Sequence, residues 1–354
     1  MSQQFFPLKV SQIDKTTEDC SVLTFEVSED LKKQFEYIQG QYLTLRATID
    51  GEEVRRSYSL CSSPLDEEWK VAVKKIEDGR FSTFANEVLN AGDTLEVMPP
   101  NGRFYKEVEK DAEKNYVAFA AGSGITPMHS IIKTLLIAEP KSTFKLFYFN
   151  QTIQSIILKE EIERLKNQFL DRFELYHFLT QEERDAPLFN GRVSQEKLDS
   201  IGNLLVDYSS IDDFFICGPT EMIFLIRDYL IENQIEEGKV HFELFNTPAG
   251  KKKKVVTQTN GASCKVAIIN NGVKTSFEIA QGGENILDAA LRNNADLPFA
   301  CKGGVCCTCK AKLMEGEIDM EVNYALEPEE VEDGFILTCQ AIPKSSNVVV
   351  DFDC

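Results

Sequence analysis

The sequence CKGGVCCTC at residues 301–309 decides the fold expected for the last third of this 354-residue chain. With one later cysteine it gives the series Cys301-x4-Cys306-x2-Cys309-x29-Cys339. This is the ligand spacing of a plant-type [2Fe–2S] cluster, in which one short loop supplies three of four thiolates. A structural zinc site is the main alternative, but such sites usually show paired Cys-x2-Cys knuckles and lack the x4 gap. The spacing therefore predicts an iron–sulfur centre with these four cysteines as metal ligands.

The remaining residues of the loop have predicted roles of their own. We expect Gly303 and Gly304 to let backbone amides turn toward the sulfurs, where hydrogen bonds tune the reduction potential. Cys307 falls outside the spacing, so we expect a packed or partly exposed thiol there. The other cysteines are scattered and suggest no disulfide framework: Cys20, Cys61, Cys217, Cys264 and Cys354. Reduced thiols beside a redox cluster fit a reducing compartment.

The composition is that of a globular protein, with 43% apolar and 27% charged residues, and the length allows two or three domains. The net charge of −19 argues against a nucleic-acid partner. It suggests instead a docking partner with a basic patch, although solubility explains most of the carboxylates equally well. We see neither a signal peptide nor an apolar segment of about 18 residues. We therefore expect a cytoplasmic protein that does not associate with membranes.

The pattern of secondary structure changes along the chain. Residues 1–108 read as short alternating strands with one helix, which predicts a small antiparallel β-barrel. Residues 109–245 alternate strands and helices, which predicts an α/β domain with a parallel sheet. Residues 246–261 are polar and contain four lysines, as expected of a linker. Residues 262–354 form a third domain that opens with a hairpin around Asn271-Gly272.

Two segments of the barrel suggest a flavin site. The motif Arg56-Ser57-Tyr58-Ser59 supplies a positive charge, an aromatic platform and a hydroxyl at the end of a predicted strand. Alone it is weak evidence, because an edge strand with a surface arginine looks the same. The segment Val73-Lys74-Lys75 leads to Phe81-Ser82-Thr83 at a helix start, where free amides and hydroxyls suit a pyrophosphate. Simple N-capping is the alternative for the two hydroxyls.

Two glycine loops suggest a dinucleotide site in the α/β domain. Gly122-Ser123-Gly124-Ile125-Thr126-Pro127 follows a buried strand and opens a helix. This Gly-x-Gly-x-x-Pro series departs from the Rossmann fingerprint. Its glycines still let the backbone approach a ligand closely, and its proline suits the first turn of a helix. Cys217-Gly218-Pro219 repeats the arrangement after a later strand. Two such loops at one edge of a sheet favour a nucleotide crevice over ordinary turns.

With these motifs the first two domains resemble the ferredoxin–NADP reductase superfamily. A ferredoxin-like α+β domain of the β-grasp type follows them, so the whole chain resembles the oxygenase reductases. The resemblance is greatest to the reductase family of phenylacetyl-CoA epoxidases, through RSYSLCSSPLD at 56–66, VMPP at 97–100 and CKGGVC at 301–306. It covers nearly the full length of the chain.

The resemblance implies roles for individual residues. Tyr58 would pack on the isoalloxazine, with Ser59 near flavin N5 and Cys217 near the nicotinamide, so these last two are the expected catalytic positions. The residues expected to hold FAD are Arg56, Ser57, Tyr58, Ser59, Val73, Lys74, Lys75, Phe81, Ser82 and Thr83. Those expected at the dinucleotide are Gly122, Gly124, Thr126, Pro127, Cys217, Gly218 and Pro219. Glu243 and Phe245 would border the flavin, but a surface carboxylate and a core aromatic are simpler interpretations.

The resemblance also implies an activity. Electrons would pass from NADPH or NADH through FAD and the [2Fe–2S] cluster to an oxygenase, in this family the multi-subunit di-iron epoxidase of phenylacetyl-CoA degradation. Related reductases often carry arginine after Asn150, where an arginine could pair with a 2′-phosphate. Here the residue is Gln151, so the choice of dinucleotide is open. A Rieske-type dioxygenase or other monooxygenase is an alternative partner, and a redox sensor without turnover is an alternative function. The three histidines, His129, His177 and His241, are expected to be structural.

Overall fold

The computed structural model describes residues 4–245 and 263–354. The chain divides into two compact units after Phe245. The predicted linker at 246–261 lies outside the described residues, and the predicted boundary at residue 108 remains a prediction. Within the described part of the chain, no helix combines the length and the apolar character needed to cross a membrane.

Six antiparallel strands and one helix open the first unit. They are β1 (Phe6–Thr17), β2 (Cys20–Glu26), β3 (Tyr42–Ile49), β4 (Glu52–Ser59), β5 (Trp69–Lys74), α1 (Arg80–Glu87) and β6 (Thr94–Asn101). The sheet order is β4-β3-β6-β1-β2-β5. An antiparallel bridge between Leu60 and Val71 joins the end of β4 to β5 and closes the sheet. The predicted barrel is therefore confirmed, with a core that includes Val71 and Phe81.

The rest of the first unit is a parallel sheet with crossover helices. Its elements are β7 (Asn115–Ala121), α2 (Ile125–Ala138), β8 (Thr143–Asn150), α3 (Lys159–Gln168), β9 (Phe173–Leu179), α4 (Gln195–Leu204), β10 (Asp213–Cys217), α5 (Thr220–Glu232) and β11 (Val240–Glu243). The order is β11-β10-β7-β8-β9, with every neighbouring pair parallel. The strand order reverses at β7, which places a ligand crevice beyond its carboxyl end.

The second unit is a mixed sheet packed around a helix. Its elements are β12 (Ser263–Asn270), β13 (Val273–Ala280), α6 (Ile286–Arg292), β14 (Lys310–Glu315), β15 (Ile318–Met320), α7 (Pro328–Glu332), β16 (Phe335–Leu337), β17 (Ala341–Pro343) and β18 (Asn347–Asp351). The main sheet has the order β13-β12-β18-β14-β16, so the last strand lies at its centre. It is parallel to β12 and antiparallel to β14. Ile286 and Leu287 of α6 are fully buried in the core, as in a β-grasp fold.

Two hairpins turn at Asn-Gly or Asp-Gly pairs, and the one at Asn271-Gly272 is where the sequence predicts it. Asn271 and Gly272 have φ angles of 51° and 71° and connect β12 to β13. Asp50 and Gly51, with φ angles of 54° and 77°, connect β3 to β4 in the same way. Two successive left-handed residues match the twist of paired strands, and the Asn-Gly and Asp-Gly pairs tolerate that conformation best.

Candidate functional site

The four predicted cluster ligands come together in the second unit. Cys301, Cys306 and Cys309 lie in the segment between α6 and β14, and the Sγ atoms of Cys301 and Cys306 are 3.2 Å apart. Cys339 lies between β16 and β17. The neighbouring Thr338 ties it to the loop, because its N–H and Oγ1 both donate to the Cys309 carbonyl oxygen, at 3.2 and 3.0 Å. These two hydrogen bonds hold Cys339, which is distant in sequence, beside the other three cysteines.

The four sulfurs form two pairs, and in each pair the environment favours one thiolate. The hydrogen bond to the partner sulfur, together with burial, raises the pKa values of Cys306 and Cys309 well above the usual range. The Cys306 thiol and backbone N–H groups, including that of Gly303 at 3.3 Å, lower the pKa of Cys301 to about 6. The Cys309 thiol in the same way lowers the pKa of Cys339. Three of the four side chains are buried, and Cys301 is half-buried. Thiolate is the form of cysteine that binds metal, so this donor set fits a [2Fe–2S] cluster.

The loop geometry explains two other predicted features. Gly304 has a φ angle of +74°, and a Cβ built there would lie 2.8 Å from the Val322 carbonyl oxygen, so no other residue fits without a shift. Lys302 shares the left-handed conformation with a φ angle of 52°. The Cys307 thiol donates to the Ala325 carbonyl oxygen at 3.0 Å. It is half-buried, in agreement with a thiol that is not a ligand.

One end of β4 forms a face suited to a flavin. The half-buried ring of Tyr58 packs on Phe81, with centroids 5.6 Å apart. Arg56 is exposed and donates to the Arg55 carbonyl oxygen at 2.7 Å, and within the described residues no carboxylate pairs with it. Ser59 is 4% exposed, and its Oγ donates to Glu243 at 3.1 Å. An aromatic platform, an accessible cation and a buried hydroxyl within four residues fit FAD.

The other predicted flavin residues are placed nearby but are partly engaged within the protein. Val73 is fully buried in the barrel core. Lys74 and Lys75 form ion pairs with Asp19 and Glu87. Further contacts are Ser57 Oγ with Thr44 Oγ1 at 3.0 Å, Ser82 Oγ with the Gly79 carbonyl oxygen at 3.1 Å, and Thr83 N–H with the same carbonyl oxygen at 2.8 Å. The N-cap of α1 is Gly79, and the helix has no side-chain cap hydrogen bond, so the capping alternative is wrong. The Ser82 hydroxyl instead donates to the Gly79 carbonyl oxygen and accepts from the Ile76 N–H at 3.2 Å.

The two glycine loops meet at the carboxyl edge of the parallel sheet. A Cβ on Gly124 would lie 2.1 Å from the Cys217 carbonyl oxygen, and one on Gly218 would lie 3.0 Å from Ala121 Cβ. Gly124 is therefore required for the close approach of the loops after β7 and β10, and a side chain at Gly218 would force its neighbours to shift. Gly122 adopts a φ angle of +52°. Three further predicted residues have structural roles at this edge. Thr126 Oγ1 donates to the Ser123 carbonyl oxygen at 3.0 Å, Pro127 is buried in α2, and Pro219 is the N-cap of α5.

Glu243 connects the flavin face to the crevice. It is the parallel neighbour of Cys217 at the ends of β11 and β10 and accepts the hydrogen bond from Ser59. Burial raises the pKa of Glu243 to about 8. The pKa of Cys217 is raised by burial and by the adjacent carboxylate. Glu243 is half-buried and hydrogen-bonded to Ser59, so it is not a freely exposed carboxylate, and Phe245 packs against the core.

A seam of hydrogen bonds fixes the barrel to the parallel sheet. The segment that follows the flavin strand contacts one face of α2. His129 Nδ1 donates to the Cys61 carbonyl oxygen at 2.6 Å, and Ser130 Oγ donates to the Ser62 carbonyl oxygen at 2.6 Å. Thr134 Oγ1 lies 2.8 Å from Ser63 Oγ. All of these groups are buried. The segment that follows the flavin strand therefore fixes the position of α2, and α2 begins at the crevice.

Models of known domain families match three successive parts of the chain. An oxidoreductase FAD-binding domain model matches residues 7–105, an oxidoreductase NAD-binding domain model matches residues 119–228, and a 2Fe-2S iron-sulfur cluster binding domain model matches residues 268–344. The first range contains the Tyr58 face, the second contains both glycine loops, and the third contains all four cluster cysteines.

Relatives match over the whole length. The chain is 44% identical over 350 residues to a subunit of the 1,2-phenylacetyl-CoA epoxidase of Escherichia coli, covering 99% of this chain and 98% of the relative. It is 31% identical to the ferredoxin reductase component of 3-ketosteroid-9-alpha-monooxygenase from Rhodococcus rhodochrous, covering 98% and 96%. This chain belongs to the family of oxygenase reductase components. The reductase is an oxidoreductase with domains for FAD, a nicotinamide dinucleotide and a [2Fe–2S] cluster.

Solved structures agree on the fold of the reductase. Phthalate dioxygenase reductase matches 98% of this chain and 98% of its own, at 23% identity and a TM-score of 0.57. The fold therefore persists over the full length at low identity. The match to the cluster-binding model favours iron over zinc, and the oxidoreductase relatives argue against a sensor without turnover.

Proposed function

We propose that this reductase delivers electrons to a phenylacetyl-CoA epoxidase, a multi-subunit di-iron oxygenase, in the cytoplasm. The observation that carries the proposal is the 44% identity over 99% of the chain to a subunit of such an epoxidase. Full-length relatives from 3-ketosteroid and glycine betaine monooxygenases are 31% and 30% identical. We name the phenylacetyl-CoA epoxidase as the acceptor because the identity to its subunit is higher than the identity to either of the other two reductases.

The cofactors supply the redox chemistry. When bound, FAD would supply two-electron hydride chemistry and the [2Fe–2S] cluster one-electron chemistry, so that one dinucleotide would support two one-electron transfers and release one proton. The protein's own contribution is to hold the groups in place and to set their electrostatic surroundings.

On the flavin side, the proposed roles follow from position and charge. Tyr58, backed by Phe81, is the platform for the isoalloxazine, and the accessible Arg56 supplies positive charge for the diphosphate. Ser59 offers its hydroxyl at the ring edge, held in orientation by Glu243. Lys74 is only half-buried and its contact with Asp19 is 3.4 Å long, so it is able to exchange that partner for a phosphate.

On the dinucleotide side, the backbone does most of the binding. The loops at Gly122 and Gly218 leave room for a ligand to approach the carboxyl edge of the sheet. Cys217 and Glu243 lie at the ends of neighbouring strands on the Ser59 side, where the nicotinamide must meet the flavin. Because burial raises the pKa values of both groups, this pocket holds neutral side chains at neutral pH and does not oppose the transfer of a hydride.

The test is reconstitution with purified oxygenases. The full chain, loaded with FAD and cluster, is mixed with the oxygenase components of phenylacetyl-CoA epoxidase, and epoxide formation is followed as the reductase is titrated. We expect turnover that depends on every component and saturates with reductase. Absence of coupled epoxidation, with dye reduction intact, would show that the acceptor is wrong.

A second candidate acceptor is a Rieske-type or other monooxygenase. It is favoured by the reductase of the 3-ketosteroid system, which this chain matches over 98% of its length. The same titration with a 3-ketosteroid oxygenase component separates the two acceptors, because the half-saturating reductase concentration should be lower with the correct one.

A further inference from the structure

The residue after the fourth predicted cluster ligand directs a side-chain amide at that ligand. Gln340 is buried, and its Nε2 lies 3.5 Å from Cys339 Sγ, 3.0 Å from the Cys339 carbonyl oxygen and 3.2 Å from the Lys302 carbonyl oxygen. A primary amide nitrogen has two hydrogens, so one of them is shared between two acceptors. All three acceptors belong to Cys339 or to the residue that follows Cys301.

The fold leaves this side chain little freedom. The Gln340 N–H donates to the Leu337 carbonyl oxygen at 2.8 Å, and the Gln340 carbonyl oxygen accepts from the Glu321 N–H at 3.2 Å. Its Cγ packs beside Gly304, where a Cβ would lie only 3.1 Å away. The backbone and the side-chain stem are therefore both held in place, and the amide is a fixed donor rather than a mobile one.

A fixed N–H donor beside a ligand sulfur affects the redox chemistry of a cluster. Reduction adds negative charge that is spread over the sulfurs, and a donor stabilises the reduced state more than the oxidised state. Burial strengthens this interaction because the local dielectric constant is low. Donors on the main chain cannot be removed by substitution, whereas a glutamine amide can.

We propose that Gln340 tunes the [2Fe–2S] cluster: its side-chain amide donates to the Cys339 sulfur and raises the reduction potential, which favours electron transfer from the flavin to the cluster. The proposal rests on the predicted role of Cys339 as a ligand. It does not depend on which oxygenase accepts the electrons.

A purely structural role is the alternative to be separated from tuning. The same amide ties Lys302 to Cys339, so its removal leaves two carbonyl oxygens without this donor and is expected to destabilise the second unit. A structural role alone predicts lower stability or lower cluster content, with an unchanged potential in the clusters that remain. Tuning predicts a changed potential in an intact cluster.

The experiment is a redox titration of the full chain, loaded with FAD and cluster and followed by the EPR signal of the reduced cluster. Gln340→Met keeps an unbranched side chain but removes both donors. We expect its equilibrium constant for one-electron reduction to fall about tenfold, or about 59 mV in potential, the lower end of the effect of a hydrogen bond to a charged group. Gln340→Glu also places a carboxylate beside the sulfur, so its potential should fall further.

An amide at the C-terminal end of α6 provides the matched control. Asn293 is the C-cap of this helix, and its Nδ2 donates to the Ala289 carbonyl oxygen at 2.8 Å. Asn293→Asp makes the same change from amide to carboxylate in the same unit without removing a donor from a sulfur. Its potential should stay close to that of the unmodified protein, and a fall equal to that of Gln340→Glu would overturn the inference.

Pulsed EPR gives a second readout that needs no substitution in the protein measured. With ¹⁵N in the glutamine side chains, the reduced cluster of the unmodified chain should show a hyperfine coupling to an amide nitrogen, and Gln340→Met should lack it. Absence of the coupling overturns the inference, as does an unchanged potential in Gln340→Met. Retention of the cluster in Cys339→Ser would overturn it at its premise. Failure to support epoxidation, with these potentials as expected, would instead contradict the proposed function.

Discussion

At the scale of single residues, the site combines what spacing reveals with what only the fold reveals. The cluster ligands are readable from the sequence because three of them lie in one short loop, whose geometry sets the gaps between them. Glu243 is different. Its hydrogen bond to Ser59 joins residues 184 positions apart, and no local pattern distinguishes it from a surface carboxylate at a strand end.

The raised pKa of Glu243 predicts a pH dependence of stability. The folded protein keeps this carboxyl protonated up to about pH 8, whereas the unfolded chain loses the proton near the ordinary pKa of glutamate. The unfolded state therefore binds fewer protons in between, so the free energy of unfolding falls as pH rises through this window. Glu243→Gln removes this contribution. Thermal unfolding of both proteins across this pH window should show a smaller decline in the variant, and parallel curves would contradict the assignment.

Adjacent cysteines in the cluster loop provide a matched pair of variants. Cys306→Ser removes a predicted ligand, so we expect loss of the broad visible absorption of the [2Fe–2S] centre and of cytochrome reduction, with ferricyanide reduction through the flavin retained. Cys307→Ser changes a thiol that donates to the Ala325 carbonyl oxygen, so both spectrum and activities should persist. Loss of the cluster in Cys307→Ser alone would mean that the ligand register is shifted by one.

At the scale of elements, most strands and helices follow from periodicity, and the exceptions have physical reasons. The alternation of strands and helices predicted for residues 109–245 is observed in the order β7 to β11 with α2 to α5 between them. The helix α4 has a weak apolar pattern in the sequence, because only Leu198 and Ile201 of its ten residues are buried. Its clearest signal is the Ser194 side chain, which accepts from the Lys197 N–H at 3.2 Å and caps the helix.

The seam between α2 and the segment after β4 predicts a positioning effect. Ser130→Ala leaves the Ser62 carbonyl oxygen without its 2.6 Å donor in a buried place, which costs about 1 to 3 kcal/mol of stability. Because α2 begins at the crevice, we also expect a fall in kcat for flavin reduction with little change in the affinity for the dinucleotide. Stopped-flow reduction and chemical denaturation measure the two effects. Ser209→Ala, at an exposed turn, is the control. Equal effects of Ser130→Ala and Ser209→Ala on kcat would contradict a positioning role for Ser130.

At the scale of the whole molecule, we expect charge to influence the encounter with the acceptor. The chain carries a net charge of −19, and residues 262–354 contain 7 Lys and Arg against 15 Asp and Glu. Opposite charge on a partner speeds association and is screened as the Debye length shrinks from about 30 Å at 0.01 M salt to about 3 Å at 1 M.

The rate of electron transfer to a basic acceptor should therefore fall steeply with salt. Reduction of a basic cytochrome is measured from about 0.01 to about 0.5 M salt, a range over which the screening length drops severalfold. Ferricyanide is an anion, so its reduction should instead be constant or rise. A cytochrome rate that is independent of salt would show that the acidic surface takes no part in docking.

The central position of β18 has a consequence for assembly of the second unit. Residues 347–351 pair with both β12 and β14 in the middle of their sheet, so the sheet cannot close until this segment has joined it. A variant cut short before β18 would keep its four thiols and yet lack the strand that joins the two halves of the sheet around them.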